Sequence, residues 1–338
     1  MFMKNAWYVA AWSEEVRDSL FHRKILDEPV LLYRKADGSV VGMHDRCPHR
    51  FAPLHLGKLK DDTVQCGYHG LCFNARGECV SNPTGAGAVP KAARVRSFPV
   101  LERDQFIWIW MGDAEKADPA LIPDFSLLSS PDWTHATGGY LHGHCHYEMF
   151  TDNLLDLSHV NFLHPLFGDE SMTHGQQKVT EKGRTVQCDL WIPNTDVPGY
   201  LQPALGSDIK IDQWLDMTWT AASNLMLSFG GTPAGKTRDE GTWGWAAHVL
   251  TPETSRSSHY FFSMSLRGPG AAEAVKQGHE TQKRVFENED KPMVQACQEM
   301  MGDADFWSLK PVLLANDAGA IRVRRLLRQL IEAEQGAA

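Results

Sequence analysis

The 338-residue sequence predicts an α+β protein in two parts: an antiparallel all-β domain, then a domain of strands followed by long helices. Three features carry that expectation. Short β-branched and aromatic runs, with few helical stretches between them, fill the first 115 residues. A segment rich in Asp, Pro, Ala and Ser, from Ala114 to Trp133, interrupts the pattern as a crossing between domains. Strands then return, and apolar residues at helical spacing occupy the end of the chain. The expected boundaries are 1–115 for the first domain, 116–135 for the linker and 136–338 for the second.

Taken in order, Val30 to Arg34 and Ser39 to Met43 flank Lys35-Ala36-Asp37-Gly38 and read as a hairpin. Thr63 to Cys66, Leu71 to Phe73 and Ile107 to Trp110 continue as short strands. In the second domain, strands are expected from Thr185 to Trp191, Ser223 to Phe229, Trp243 to Leu250 and Ser258 to Met264. Helical patterns follow from about Gly270 to Met301. Asp317 caps a last helix on which Ile321, Leu326, Leu327, Leu330 and Ile331 recur at helical spacing. Gly230 to Thr237 fits the phosphate-loop pattern G-x-x-x-x-G-K-T. That loop must open a helix, and Arg238 to Gly244 is no helix start, so a polar strand connection is expected. Arg322, Arg324, Arg325 and Arg328 read as a solvated helix face, with docking of an electron donor as the second reading.

The length suffices for two cores, and 43% hydrophobic with 22% charged residues is ordinary for a globular protein. A formal charge of −9 argues against nucleic acid as a partner. The first residues lack a basic leader and a cleavage site, and no run approaches the ~18 apolar residues of a membrane span. A cytoplasmic protein without membrane contact is expected. Seven cysteines, an odd number over a long chain, do not make a disulfide framework.

Two motifs carry chemistry. Cys47-Pro48-His49 and, after sixteen residues, Cys66-Gly67-Tyr68-His69 form C-x-H…C-x-x-H. Two Cys and two His bind zinc tetrahedrally, so zinc competes. One Cys and one His in each loop suit a [2Fe–2S] cluster better, with thiolates on one iron and imidazoles on the other. Neutral imidazoles remove negative charge, so the added electron is better tolerated. Cys72 and Cys79 read as core residues.

The second motif runs from Asp152 to Pro165 and is apolar enough for a buried helix, yet holds two acids, an amide and two histidines. Asn153, Asp156 and His159 are three apart and share a helical face. Pro165 pushes His164 out of the helical region, ending the helix and turning this imidazole back towards His159. Two converging histidines with an acid behind one read as a metal site; a core helix with backbone-bonded histidines is the alternative. A 2-His-1-carboxylate face leaves positions open on Fe(II). Glu287, Glu289 and Asp290 all offer the third ligand, and spacing does not choose among them.

These motifs resemble those of the Rieske non-haem iron oxygenases, above all the oxygenase subunits of vanillate and dicamba O-demethylases. The matching residues are Cys47 to Arg50, Cys66 to Leu71, Asn5-Ala6-Trp7-Tyr8-Val9-Ala10, Ile107 to Asp113 and Asp152 to Leu157. The resemblance runs from near residue 1 to the last helix. It implies a Rieske domain holding its cluster through Cys47, His49, Cys66 and His69, and a helix-grip (START-like) catalytic domain. It implies Fe(II) on His159, His164 and Asp290, because Glu289-Asp290-Lys291 resembles the segment carrying the ligand aspartate. Asp156, with Asn153 on the same face, then supports catalysis by orienting His159. His248 matches a substrate-contacting histidine. Ser228 stands where dicamba O-demethylase has a substrate-binding Asn, and Thr281 where it has a pocket Trp, which turns the expectation away from dicamba.

The resemblance further implies O2 chemistry on a small aromatic substrate. Electrons come from NAD(P)H through a separate flavin and iron–sulfur reductase, with or without a ferredoxin between them; the chain itself has no dinucleotide fingerprint. Compact domains of these sizes, side by side, have centres roughly 35–40 Å apart, too far for fast electron transfer between buried sites. Either the two sites face each other across the domain boundary, or the donor cluster belongs to a neighbouring subunit. The family's head-to-tail homotrimer brings a neighbour's cluster close, with Asp156 as the bridge. O-demethylation of a vanillate-like methoxybenzoate is the expected reaction. Hydroxylation of an aryl methyl group, as in toluenesulfonate methyl-monooxygenase, is the alternative. A Rieske electron carrier is the third reading, although it needs only the first ~115 residues.

Overall fold

The computed structural model describes residues 1–164 and 170–336. It divides into two compact units. The first comprises Phe2–Ile122 together with Glu253–Ser255 and so continues past residue 115 into the expected linker. There the Asp113 and Asp118 side chains cap single turns by accepting from the Glu115 and Ala120 N–H groups.

The first unit is all-β. Its strands are β1 (Trp7–Trp12), β2 (Phe21–Ile25), β3 (Glu28–Arg34), β4 (Val40–His44), β5 (Lys58–Lys60), β6 (Thr63–Gln65), β7 (Cys72–Phe73), β8 (Cys79–Ser81), β9 (Ser97–Phe98), β10 (Val100–Arg103) and β11 (Phe106–Trp110). They form three antiparallel sheets, ordered β1-β11-β10, β2-β3-β4-β9 and β5-β6-β7-β8. The expected hairpin is β3–β4, turned at Gly38 with φ 85°. Every residue of β1 is buried, and Trp12 stacks on Phe106 at 4.3 Å. Leu31, Tyr33, Val64 and Phe73 pack with Cys47 and Cys66, so both thiols are rooted in this core.

The second unit holds β12 (Thr134–Gly143), β13 (Gln176–Lys182), β14 (Thr185–Asp196), β15 (Lys210–Thr220), β16 (Asn224–Pro233), β17 (Thr242–Thr254) and β18 (Ser257–Leu266). They make one seven-stranded sheet, ordered β12-β18-β17-β16-β15-β14-β13. Its helices are α1 (Tyr147–Leu155), α2 (Val160–Leu163), α3 (Gln202–Leu205), α4 (Ala271–Val285), α5 (Lys291–Met301) and α6 (Ala318–Gly336). Helix α4 packs on β12 and β18, and α6 packs on β13, β14 and α1. The phosphate-loop lookalike is the end of β16 and the start of the β16–β17 connection, followed by a single turn at Arg238–Glu240. No helix among the described residues is long and apolar enough to cross a membrane.

Two expectations about helices need correction. The stretch from Asp152 to Leu163 is not one helix: α1 stops at Asp156, where φ −115° and ψ 94° leave the helical region. The Asp156 carboxylate accepts from the Ser158 N–H at 2.9 Å, so a local cap outcompetes helix continuation. The chain restarts through the turn Leu157–His159 into α2. His164 leaves the helical region at φ −117° and ψ 82°, as expected; Pro165 lies outside the described residues. In the arginine run, Arg322, Arg325 and Arg328 are exposed but Arg324 is buried. Its guanidinium binds both oxygens of Asp152 and reaches Glu148 at 2.7 Å, tying α6 to α1.

Candidate metal centres

In the first unit the two Cys/His loops are built alike. The Cys47 N–H donates to the Ala52 carbonyl and the Phe51 N–H to the Cys47 carbonyl, at 2.8 and 2.9 Å. The Cys66 N–H donates to Leu71 and the Gly70 N–H to Cys66, at 2.8 and 3.0 Å. The fifth residue of each loop takes positive φ, 60° at Phe51 and 76° at Gly70. This shared turn sets each Cys inward and places each His at the loop's outer edge. The His49 and His69 rings lie 4.6 Å apart. Burial pushes the Cys47 thiol pKa up, and the adjacent Cys66 adds to this. His69 Nδ1 is buried without a partner among the described residues. An orphaned ring nitrogen beside a paired histidine and two adjoining thiols fits a cluster with two sulfur and two nitrogen ligands.

In the second unit α1, α2 and the α4–α5 junction bring the second set together. The junction is a π turn, Phe286–Asp290. Pro292 follows; it lacks an N–H and crowds the carbonyl of Asn288, which favours the wider turn. The turn aims Asp290, 2% exposed, into the unit. Asp290 Oδ1 lies 3.3 Å from His159 Nε2, 3.2 Å from His164 Nε2 and 3.0 Å from the Asn153 amide nitrogen, which donates to it.

The hydrogen-bond partners fix which ring nitrogens carry hydrogen. His159 Nδ1 is 2.5 Å from the Asp156 carbonyl oxygen, which can only accept, so Nδ1 carries the hydrogen. His164 Nδ1 is 2.8 Å from Glu289 Oε2 and carries its hydrogen for the same reason. Both Nε2 atoms therefore present lone pairs to a carboxylate. Three facing acceptors repel unless a proton or cation lies among them. Burial lowers the His164 pKa, but Asp290 and Glu289 outweigh it and raise it. Burial likewise raises Asp290, and the two histidines outweigh it, drawing it down to about 2. Asp290 Oδ2 is buried without a partner among the described residues. These donors suit a cation with open positions, and Glu287, exposed and paired with Lys291, stands outside them.

Asp156 meets His159 through its main-chain carbonyl, not through its carboxylate. That carboxylate instead accepts from the Asn316 amide at 2.8 Å. Nothing in the sequence pointed to Asn316, which reaches Asp156 across 160 positions.

His248 lies on β17 and is buried, with Nδ1 2.7 Å from the Tyr260 hydroxyl and its ring 5.7 Å from Phe286. Ser228 does not join it. Leu225 pairs with Trp219 and His248 across unshifted strands, so those three side chains share one sheet face. Ser228 pairs with Asp216 and Trp245 on the opposite face, where Asp216 binds the half-exposed Arg238. From β16 it is Leu225, Leu227 and Phe229 that share the face of His248.

A further trio, His22, Asp45 and His55, lies in the first unit. Its histidine rings stack 3.8 Å apart at 14°, so their in-plane lone pairs run parallel and do not converge. Asp45 hydrogen-bonds His55, making this a hydrogen-bonded pair under a stacked ring.

A Rieske-type loop pair in one unit and a two-histidine, one-carboxylate wall in the other define a Rieske non-haem iron oxygenase component. The chain belongs to the vanillate O-demethylase type of this family: residues 143–333 match the vanillate O-demethylase oxygenase C-terminal domain, and residues 6–99 match the Rieske [2Fe-2S] domain. It is 38% identical to the oxygenase component of dicamba O-demethylase from Stenotrophomonas maltophilia, over 98% of this chain and 99% of that one. It is 36% identical to the iron-sulfur subunit of the toluene-4-sulfonate monooxygenase system of Comamonas testosteroni, over 99% of each. The crystal structure of dicamba monooxygenase bound to 3,6-dichlorosalicylic acid superposes with a TM-score of 0.93 at 37% identity, covering 99% of both chains. The protein's cofactors are thus a Rieske [2Fe–2S] cluster and a mononuclear non-haem iron.

Proposed function

We propose that the protein O-demethylates a methoxylated aromatic acid, drawing electrons from NAD(P)H through a separate flavin and iron–sulfur reductase. His159, His164 and Asp290 would hold the iron, and Cys47, His49, Cys66 and His69 the cluster. When bound, the iron activates O2 and the cluster relays electrons to it. The observation that carries the reading is the convergence of two Nε2 lone pairs on Asp290, whose second oxygen is buried and has no partner among the described residues.

The chain's own residues do the rest. The Asp156 carbonyl and Glu289 fix the direction of each Nε2, and the Asn153 amide steadies Asp290. Tyr260, Phe262 and Phe286 pack ring against ring at 5.2–5.6 Å and form an aromatic wall that excludes water. Overall, ArOCH3 + O2 + 2e− + 2H+ gives ArOH + HCHO + H2O, because hydroxylation of the methyl carbon yields a hemiacetal that collapses. Hydroxylation of an aryl methyl group is the second reading, favoured by the toluene-4-sulfonate relative. A methoxybenzoate panel with a surrogate reductase separates them: formaldehyde matching NADH oxidation supports O-demethylation, whereas a benzylic alcohol from methylarenes without formaldehyde overturns it.

We further propose a head-to-tail trimer. Phe51, Leu56 and Tyr68 stand 70, 70 and 64% exposed around the cluster loops, and Phe162, near His159, is 78% exposed. A neighbouring copy would cover both patches and set the Asp156 carboxylate against His49 or His69 of that copy.

A further inference from the structure

Tyr260 is 1% exposed, and its hydroxyl meets one polar atom among the described residues, His248 Nδ1. A phenol has one hydrogen to donate, and Nδ1 is the acceptor within reach. A neutral imidazole carries one hydrogen on its two nitrogens, so accepting at Nδ1 leaves the N–H at Nε2. Burial keeps the ring neutral, with a pKa lowered to about 3 that the pull of Asp290 does not restore. Nε2 is buried and has no partner among the described residues. The ring cannot easily turn to find one. Phe286 meets it edge-on at 5.7 Å, and Tyr260 is itself held by Phe150 at 5.4 Å and stacked on Phe286 at 5.3 Å.

Resting on the proposed O-demethylation and on the expectation that His248 contacts the substrate, we propose that Tyr260 is a positioning residue that presents the Nε2–H of His248 to the substrate. The site thereby selects aromatic ethers bearing a hydrogen-bond acceptor, such as a carboxylate, amide or second ether oxygen, away from the reacting methyl. Groups that only donate find another donor facing them and are rejected. The tautomer set by Tyr260 is what decides between the two classes.

Calorimetric titration of the iron- and cluster-loaded protein with 4-methoxybenzoate, 4-methylanisole and 4-methoxyaniline tests this. The first should bind roughly 10–100-fold more tightly than the second, with the aniline weakest. Tyr260→Phe should abolish most of that preference and cost nothing further in a His248→Ala background. His248→Gln, which restores an N–H donor, should recover part of the preference with or without Tyr260. Tighter binding of 4-methoxyaniline than of 4-methoxybenzoate overturns the assignment. So does a Tyr260→Phe loss that is equal for all three probes or that adds fully to His248→Ala. Formaldehyde release is scored separately: the preference without turnover contradicts O-demethylation alone, and turnover without the preference contradicts the Tyr260 assignment alone.

Discussion

The Nδ1 atom of His159 lies 2.5 Å from the backbone carbonyl oxygen of Asp156, while the Asp156 carboxylate points elsewhere, to Ser158 and Asn316. One residue thus fixes a candidate iron ligand with its main chain and keeps its acid for a second task. Asp156→Asn preserves the carbonyl and should retain both metals. Reoxidation of the reduced cluster by O2 and substrate, followed by stopped-flow absorbance, should slow by roughly 10-fold or more. Full iron with unchanged reoxidation would remove the carboxylate from the electron path.

Glu289 and Asp290 are neighbours with different work. Asp290→Ala should lose the mononuclear iron altogether. Glu289→Gln leaves the three facing atoms but weakens the anchor on His164 Nδ1, and should lower iron affinity by roughly 10–100-fold. Iron titration of cluster-loaded protein against a chelator reads both. Equal losses would mean that Glu289 is itself a ligand.

His248 makes stability depend on pH. Its folded pKa, about 3, lies below the unfolded 6.5, so between these values the unfolded state binds more protons. The stability is fully present above pH 6.5 and is lost as pH falls towards 3. Between pH 7 and pH 5 the loss is about 2 kcal/mol. Urea denaturation of His248→Asn should show a shallower fall over that interval than wild type. Parallel slopes would mean that His248 is not held neutral.

Arg324 should matter for folding. Arg324→Met strips the partner from two acids that burial already raises, Asp152 to about 6 and Glu148 upward. The expected cost is about 3–5 kcal/mol at neutral pH, read as a fall in midpoint urea concentration. Adding Asp152→Asn should recover part of it. A neutral effect would place Arg324 among the solvated arginines.

Where local chemistry dictates structure, the sequence was legible. The mixed Cys/His loops, the β3–β4 hairpin and helical structure from Ala271 to Met301 follow from residue type and spacing alone. What escaped was decided by partners distant in sequence. Strand β15 hides its alternation of Ile211, Leu215, Met217 and Trp219 behind Asp212, whose carboxylate is buried only because it accepts from the Asn194 and Gly235 amides. β12 carries two glycines at a bulge, and β13 is a polar edge strand. Ser228 matched a motif position, but one step along a strand changes the face, and only the register with β15 and β17 shows which. The break at Asp156 was invisible because apolar residues continue on both sides of it.

The central claim is that one chain holds two different iron sites. Quantifying iron and acid-labile sulfide in wild type and in His159→Ala tests it most directly. Wild type should contain about three irons and about two sulfides per chain, and the variant about two of each, with an unchanged Rieske electron paramagnetic resonance signal after reduction. Zinc in place of iron, or identical iron contents in the two proteins, would contradict the account.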